Sequence, residues 1–131
     1  MKLLGIDYGD KYLGLALADS ETRLASPFLI LDNQSQDSII EVLKKIIAEE
    51  EIAKIIIGRP QGMQGQASGQ LDKVDDFIEL LKNSFEVEII AEDERLSTVM
   101  AGKLIQEQKR KGERDDAVAA MLILQNYLDR K

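Results

Sequence analysis

The chain contains no cysteine and no histidine in its 131 residues. Without cysteine the fold owes nothing to disulfides, and thiolate zinc sites are excluded. Without histidine most other zinc sites go as well. Any metal must therefore sit on oxygen ligands, which points to Mg2+ or Mn2+. Acid–base work falls to carboxylates, lysine, tyrosine or metal-bound water, because no imidazole exists to do it. Long apolar runs are missing too. The opening, MKLLGIDYGD, is too short in apolar residues for a signal peptide and has no small-residue cleavage site. No segment reaches the roughly 20 apolar residues of a membrane span. The expectation is a cytoplasmic protein with no membrane association. Positive charge is also in deficit: 24 acidic against 17 basic residues give a net charge of −7. A partner held by bulk electrostatics, such as nucleic acid, would then require locally concentrated cations.

What is present suffices for one core. With 44% apolar residues, a chain of this length reads as a single domain, 1–131. Residues 2–8 and 12–18 are short apolar runs around Gly9, Asp10 and Lys11, the pattern of a hairpin. A turn at Asp19, Ser20 and Glu21 leads to a third run, 23–31, in which Pro27 marks an edge strand. The period then changes. Ile39, Ile40, Leu43, Ile46 and Ile47 predict a helix over about 37–51. A β-branched run at 53–58 reads as a strand buried on both faces, followed by a polar, glycine-rich loop at 59–70. Leu71, Val74, Phe77, Ile78 and Leu81 set a second helix, 87–91 a further strand, 93–108 a third helix, and 115–129 a last one after the basic connector 109–114. The order β-β-β-α-β-α-β-α-α with right-handed crossovers predicts a mixed five-stranded α/β sheet, order 3-2-1-4-5, flanked by helices.

Parallel strands 1, 4 and 5 open onto one edge, where such sheets place their sites. Three acids converge there: Asp7 at the end of strand 1, Glu94 beyond strand 5, and Asp116 in the first turn of the last helix. Like charges so close require protons or divalent cations to neutralise them. Two cations roughly 3.5–4 Å apart would activate water and stabilise the leaving oxygen of a phosphodiester. Each acid also has a plainer reading: Glu94 as the partner of a neighbouring arginine, and Asp116 as a charge favouring the helix N-terminus. For Asp7 the plainer reading is weakest, since a buried unpaired aspartate is costly. Asp116, Ala120, Ile123 and Tyr127 share one helical face, and the small Ala119 and Ala120 would let that helix approach the sheet. Glycines beside Asp7, Gly9 among them, would admit a phosphate closely. Gly9, Lys11, Arg59, Gln61 and Arg95 border the same edge as candidate substrate contacts. Lys109, Arg110 and Lys111, just before the last helix, supply the concentrated positive charge.

These motifs resemble one family. Gly5-Ile6-Asp7-Tyr8-Gly9, then Gly14-Leu15-Ala16 and Asp19, is similar to the opening of the YqgF family, bacterial nucleases assigned to pre-16S ribosomal RNA and also described as Holliday-junction resolvase-like. Gly58-Arg59-Pro60 with Met63 and Gly65 resembles its glycine-proline loop. Asp93-Glu94-Arg95-Leu96-Ser97-Thr98 matches its aspartate-glutamate-arginine signature, and Asp116 with Ala119, Ala120, Ile123, Leu124 and Tyr127 resembles its final helix. The resemblance runs in order over nearly the whole chain. It implies a ribonuclease H-like fold, a divalent metal, action on ribosomal RNA precursors, and Asp7, Glu94 and Asp116 as catalytic acids and metal ligands. Two places depart from the pattern: Asp10 stands where the family has a small or hydroxyl residue, and Gln61 and Gly62 replace leucine and asparagine. The alternatives are a DNA junction endonuclease using the same acids, a non-catalytic nucleic-acid-binding module, and a nucleotide-binding domain of the actin and sugar-kinase type. Length argues against the last, which needs two such domains. A monomer or weak homodimer is expected, since nothing in the sequence shows the symmetric dimer of a resolvase.

Overall fold

The computed structural model describes residues 1–59, 68–93 and 116–130. Eight elements follow one another in those residues: β1 (Lys2–Tyr8), β2 (Tyr12–Asp19), β3 (Leu24–Asp32), α1 (Gln36–Glu50), β4 (Ile52–Arg59), α2 (Ser68–Ser84), β5 (Glu88–Asp93) and α3 (Asp116–Asp129). The strands form one sheet in the order β3-β2-β1-β4-β5. β1–β2 and β2–β3 are antiparallel, whereas β1–β4 and β4–β5 are parallel. This is the topology the alternating and β-branched runs predict. The expected opening of a helix at Asp93 is corrected: Glu92 and Asp93 still pair with Gly58 and Arg59, so the strand continues through them. The rest of the expected 93–108 helix and the basic connector lie outside the described residues.

β3 takes the outer edge, as Pro27 requires. The register slips between Leu15 and Ala16, which pair with Leu29 and Pro27, so Phe28 is the extra residue of a bulge. A proline and a bulge together blunt an exposed edge against pairing with another strand. α1 begins with Ser35, whose hydroxyl accepts from the Ser38 N–H at 3.1 Å. It stops at Glu51, a left-handed residue (φ 53°) whose N–H bonds the Ile47 carbonyl. The helix is therefore one residue earlier than its apolar spacing suggests at each end, because both ends are fixed by caps rather than by hydrophobic period.

The sheet is covered on both faces, and its residues alternate between them. Leu4, Ile6, Leu13, Leu15, Ile55 and Ile57 pack toward α1 and α2, with Ile39, Leu43, Phe77 and Leu81. Leu3, Ala16, Ala18 and Ile56 pack toward α3, with Ala120, Ile123, Leu124, Tyr127 and Leu128. α3 is also fastened at its C-terminal half. Gln125 accepts from the Ala25 N–H at 3.0 Å and donates to the Arg23 carbonyl at 2.9 Å, and the Arg23 guanidinium donates to the Leu128 carbonyl. Arg23 reaches this position with a left-handed backbone (φ 59°) in the β2–β3 turn. The helix carrying Asp116 is thus held on the sheet by packing and by hydrogen bonds at the end far from that residue.

Candidate active site

Period-two alternation along β1 decides which face the first acid uses. Leu3, Gly5 and Asp7 point toward α3, and they pair with Ala18, Ala16 and Gly14 of β2. Directly opposed residues share a face, so Asp7 and Gly14 look the same way. Gly14 has no side chain, and the start of α3 occupies the space one would fill. A Cβ built there would lie 1.8 Å from the Asp116 carbonyl oxygen and 2.8 Å from the Ala117 nitrogen. One turn further on, a Cβ at Gly5 would meet the Ala120 carbonyl and the Leu124 Cβ, each at 3.0 Å. The helix rests on bare backbone at two glycines. That contact sets the Asp116 backbone against the cross-strand partner of Asp7.

The local chemistry suits carboxylates. Asp7 is half-buried, and the first turn of a helix carries partial positive charge that favours anions. Ala120, Ile123 and Tyr127 are buried on the sheet as their helical spacing predicts, whereas Ala119 is only half-buried. Of the three acids that the sequence singles out, two are therefore brought to one place. Glu94 lies outside the described residues, and among the described residues no group of three or more acidic side chains is close enough to hold a metal ion.

The next row across the sheet holds a residue that the sequence reading missed. Ile6 pairs with Ile57, and Ile57 with Ala91, so one residue further along are Asp7, Gly58 and Glu92. Glu92 is fully buried. Its Oε1 accepts from the Arg130 guanidinium, while Oε2 has no hydrogen-bond partner among the described residues. A buried carboxylate with half its lone pairs unmet is uncommon. The signal was available: Glu92 follows Ile90 at strand spacing, so the alternation that turns Ile90 toward α3 turns Glu92 there too.

The candidate substrate residues divide by face. Gly9 and Lys11 sit in the β1–β2 turn beside Asp7. Asn33 braces that turn, donating its backbone N–H to the Lys11 carbonyl at 2.8 Å and its Nδ2 to the Gly9 carbonyl at 2.7 Å. Gly9 is needed for close approach, since a Cβ there would be 2.7 Å from the Tyr12 carbonyl. Lys11 is exposed. Arg59 is on the other face. Gly58 points toward α3, so Arg59 points toward α2, where Nε and Nη2 donate to Asp75 Oδ1 and Oδ2 at 2.8 and 3.2 Å. The Asp75 hydrogen bond, opposed by desolvation, raises the Arg59 pKa, and the same bond holds the Asp75 carboxyl below its ordinary range. Asp10, the unusual acid beside Asp7, is bonded to Lys73 of α2 at 3.0 Å, which offsets its charge. Gln61, Arg95, Lys109, Arg110 and Lys111 lie outside the described residues.

Comparison with known proteins agrees with this architecture. Residues 1–130 match the family described as RuvX, Holliday junction resolvase. A Thermoanaerobacter pseudethanolicus protein provisionally named a pre-16S rRNA nuclease is 42% identical over 98% of this chain and 96% of its own length. A Halothermothrix orenii protein of the same provisional name is 37% identical over 98% and 95%. Thermus thermophilus RuvC, solved in complex with a Holliday junction substrate, superposes with a TM-score of 0.64 at 12% identity, covering 99% of this chain and 94% of that one. The fowlpox virus Holliday junction resolvase superposes at 0.56 with 17% identity over the full length of both chains. At such identities the structural likeness shows the fold alone, the ribonuclease H-like α/β fold. Sequence and fold together place the chain in the RuvX Holliday junction resolvase family.

Proposed function

We propose that the protein is a divalent-metal-dependent nuclease that hydrolyses phosphodiester bonds in the cytoplasm, and that its substrate is the 5′ end of precursor 16S ribosomal RNA. The observation that supports the reading is the seating of α3 on Gly14, which sets the Asp116 backbone against the cross-strand partner of Asp7 at the open end of the parallel strands. The provisional names of relatives at 37–42% identity favour RNA as the substrate.

In this reading Asp7, Asp116 and Glu94 hold Mg2+ or Mn2+. The donor set fits such ions, because Asp116 opens the helix whose backbone lies against the cross-strand partner of Asp7, and the chain offers no histidine or cysteine. A divalent ion bound there supplies Lewis acidity and an activated water. The protein's own part is positional. β1 and α3 fix two carboxylates on rigid elements, and the glycine contacts hold them at one separation. Gly9 and Lys11 face the substrate at the β1–β2 turn. Gln61, Arg95, Lys109, Arg110 and Lys111 contribute phosphate contacts that a chain of net charge −7 requires. Among the described residues no helix is long and apolar enough to cross a membrane. The protein acts as a monomer or a weak homodimer.

A second reading, cleavage of four-way DNA junctions, is favoured by the description of the matched family and would use the same acids. The test offers the purified protein a precursor RNA spanning the 5′ end of 16S and a four-way DNA junction, with Mg2+, with Mn2+ and with chelator. Metal-dependent cutting of the RNA is expected. Cutting of the junction alone would transfer the assignment to the second reading, and inertness toward both would leave a binding module.

A further inference from the structure

Beyond the acids, the face of the sheet that carries Asp7 has one more built feature. A groove of about 370 Å3 opens at the ends of β2 and β3, lined by Asp10, Lys11, Tyr12, Asp32, Asn33 and Gln34. We propose that this groove takes one unpaired nucleobase of a single-stranded RNA, next to the phosphodiester held at Asp7 and Asp116. The proposal rests on the reading of the protein as an RNA-cutting enzyme and adds how the strand is held.

Position comes first. Tyr12 is two residues from Gly14 along β2, so strand alternation puts it on the same face as Gly14 and Asp7. Tyr12 pairs with Asp32, which gives the groove its floor across two strands. It therefore borders the point where Asp116 meets the sheet, at the distance of a neighbouring nucleotide rather than of a remote surface.

Chemistry comes second. Recognition of single-stranded RNA stacks splayed bases on aromatic rings and reads their edges by hydrogen bonds. The groove holds one aromatic ring, two side-chain amides, a carboxylate able to accept from a base amino group, and a lysine for the adjoining phosphate. Its second carboxylate, Asp10, is already engaged by Lys73 at 3.0 Å and so adds little repulsion. The volume lies within the range of small-ligand sites.

Rigidity comes third. Asn33 hydrogen-bonds the carbonyls of both Gly9 and Lys11. The β1–β2 turn and the end of β3 are thereby tied into one wall before any ligand arrives. A preformed wall reduces the ordering cost of binding. A duplex keeps its bases stacked inside, so the groove selects unpaired nucleotides.

The experiment measures binding of a short single-stranded RNA and of its duplex by fluorescence anisotropy, with Ca2+ replacing Mg2+ so that nothing is cut. One nucleotide at a time is made abasic. In the wild type, one abasic position should weaken binding roughly five- to 100-fold, the effect of losing one stacked base. Tyr12→Ala should weaken binding of the intact strand by a similar factor and become indifferent to that abasic position, while Tyr12→Phe, which keeps the ring, should bind like wild type. The salt dependence should not change in Tyr12→Ala. In Lys11→Gln the slope of log K against log salt should fall by roughly 0.7, one phosphate contact on a single strand. No sensitive abasic position in the wild type overturns the subsite, without reference to any variant's folding. So does an abasic effect that persists undiminished in Tyr12→Ala. Failure of the wild type to bind RNA at all overturns the nuclease reading beneath it, a different result from RNA binding that ignores Tyr12.

Discussion

The two faces of this sheet are made by alternate residues of the same strands, yet they are built on opposite plans. Toward α1 and α2 the strands present Leu4, Ile6, Leu13, Leu15, Ile55 and Ile57, all fully buried. They meet Leu43, Phe77 and Leu81, and large branched side chains fill the space. Toward α3 the same strands present Gly5, Gly14, Ala16 and Ala18 beside Leu3 and Ile56, and at the two glycines the helix comes down onto backbone. The first face buys stability, at ~1.5–3 kcal/mol for each fully buried aliphatic side chain. The second gives up volume for proximity, and it carries the charged residues Asp7, Asp116 and Glu92. Putting bulk on one face leaves the other free to be shaped by chemistry.

One substitution on each face should therefore fail in a different way. Phe77→Ala opens a cavity in the bulky face and should cost about 3–5 kcal/mol of stability, read by chemical denaturation. The folded fraction should cut RNA at close to the wild-type rate. Gly14→Ala inserts a methyl where the Asp116 backbone lies, so α3 must lift. Its stability cost should be smaller, about 1–3 kcal/mol, but activity should fall by about 100-fold or more, since small misplacements of catalytic groups are costly. Equal loss of activity in the two variants would erase the distinction.

Breaking the ion pair between buried Glu92 and exposed Arg130 tests the same face two strands away from Asp7. Arg130→Met leaves Glu92 buried without its cation and should destabilise by about 2–3 kcal/mol, measured by urea unfolding. A change under about 0.5 kcal/mol would mean that Glu92 is stabilised by something other than Arg130.

The smallest effect belongs to Arg59 and Asp75, on the α2 side. The pair is more than a third exposed, so Asp75→Asn should cost under about 1 kcal/mol. Because the folded-state pKa of Asp75 is lowered, the contribution is fully present above the ordinary aspartate value of about 3.9. It fades as pH falls through the lower folded value. The difference between wild type and Asp75→Asn should therefore vanish in acid. A difference that instead grows below pH 4 would contradict the pairing.

The sequence made one of these plans easier to read than the other. Strand order, the edge position of β3 and the buried stripe of α1 follow from alternation, Pro27 and helical spacing, each a local and periodic signal. The seat of Asp116 on Gly14 is not local. Glycine at position 14 fits a hairpin strand and a packing surface equally, and only the fold shows which backbone fills its empty side. Arg59 shows a different limit. The apolar run ends at Gly58 and puts Arg59 in the loop bordering the site, but Arg59 is the last residue of β4, and strand parity sends it to Asp75. Glu92 is hard to read because the acidic run Glu92-Asp93-Glu94 looks like a solvated strand end, whereas the strand continues through Glu92 and Asp93. Asp10 stood out as an extra charge beside Asp7, and its partner Lys73 lies 63 residues away, beyond the reach of any spacing argument.

In the proposed function Asp7 and Asp116 hold the metal at which RNA is cut. The most direct test is Asp7→Asn, an isosteric change that removes only the charge. Cleavage of precursor RNA in Mg2+ should fall by several powers of ten. The circular dichroism spectrum should match wild type, and the rise in melting temperature that Mg2+ gives the wild type should be largely lost. A folded Asp7→Asn protein that cuts at the wild-type rate, or that gains the full stabilisation from Mg2+, would contradict the account.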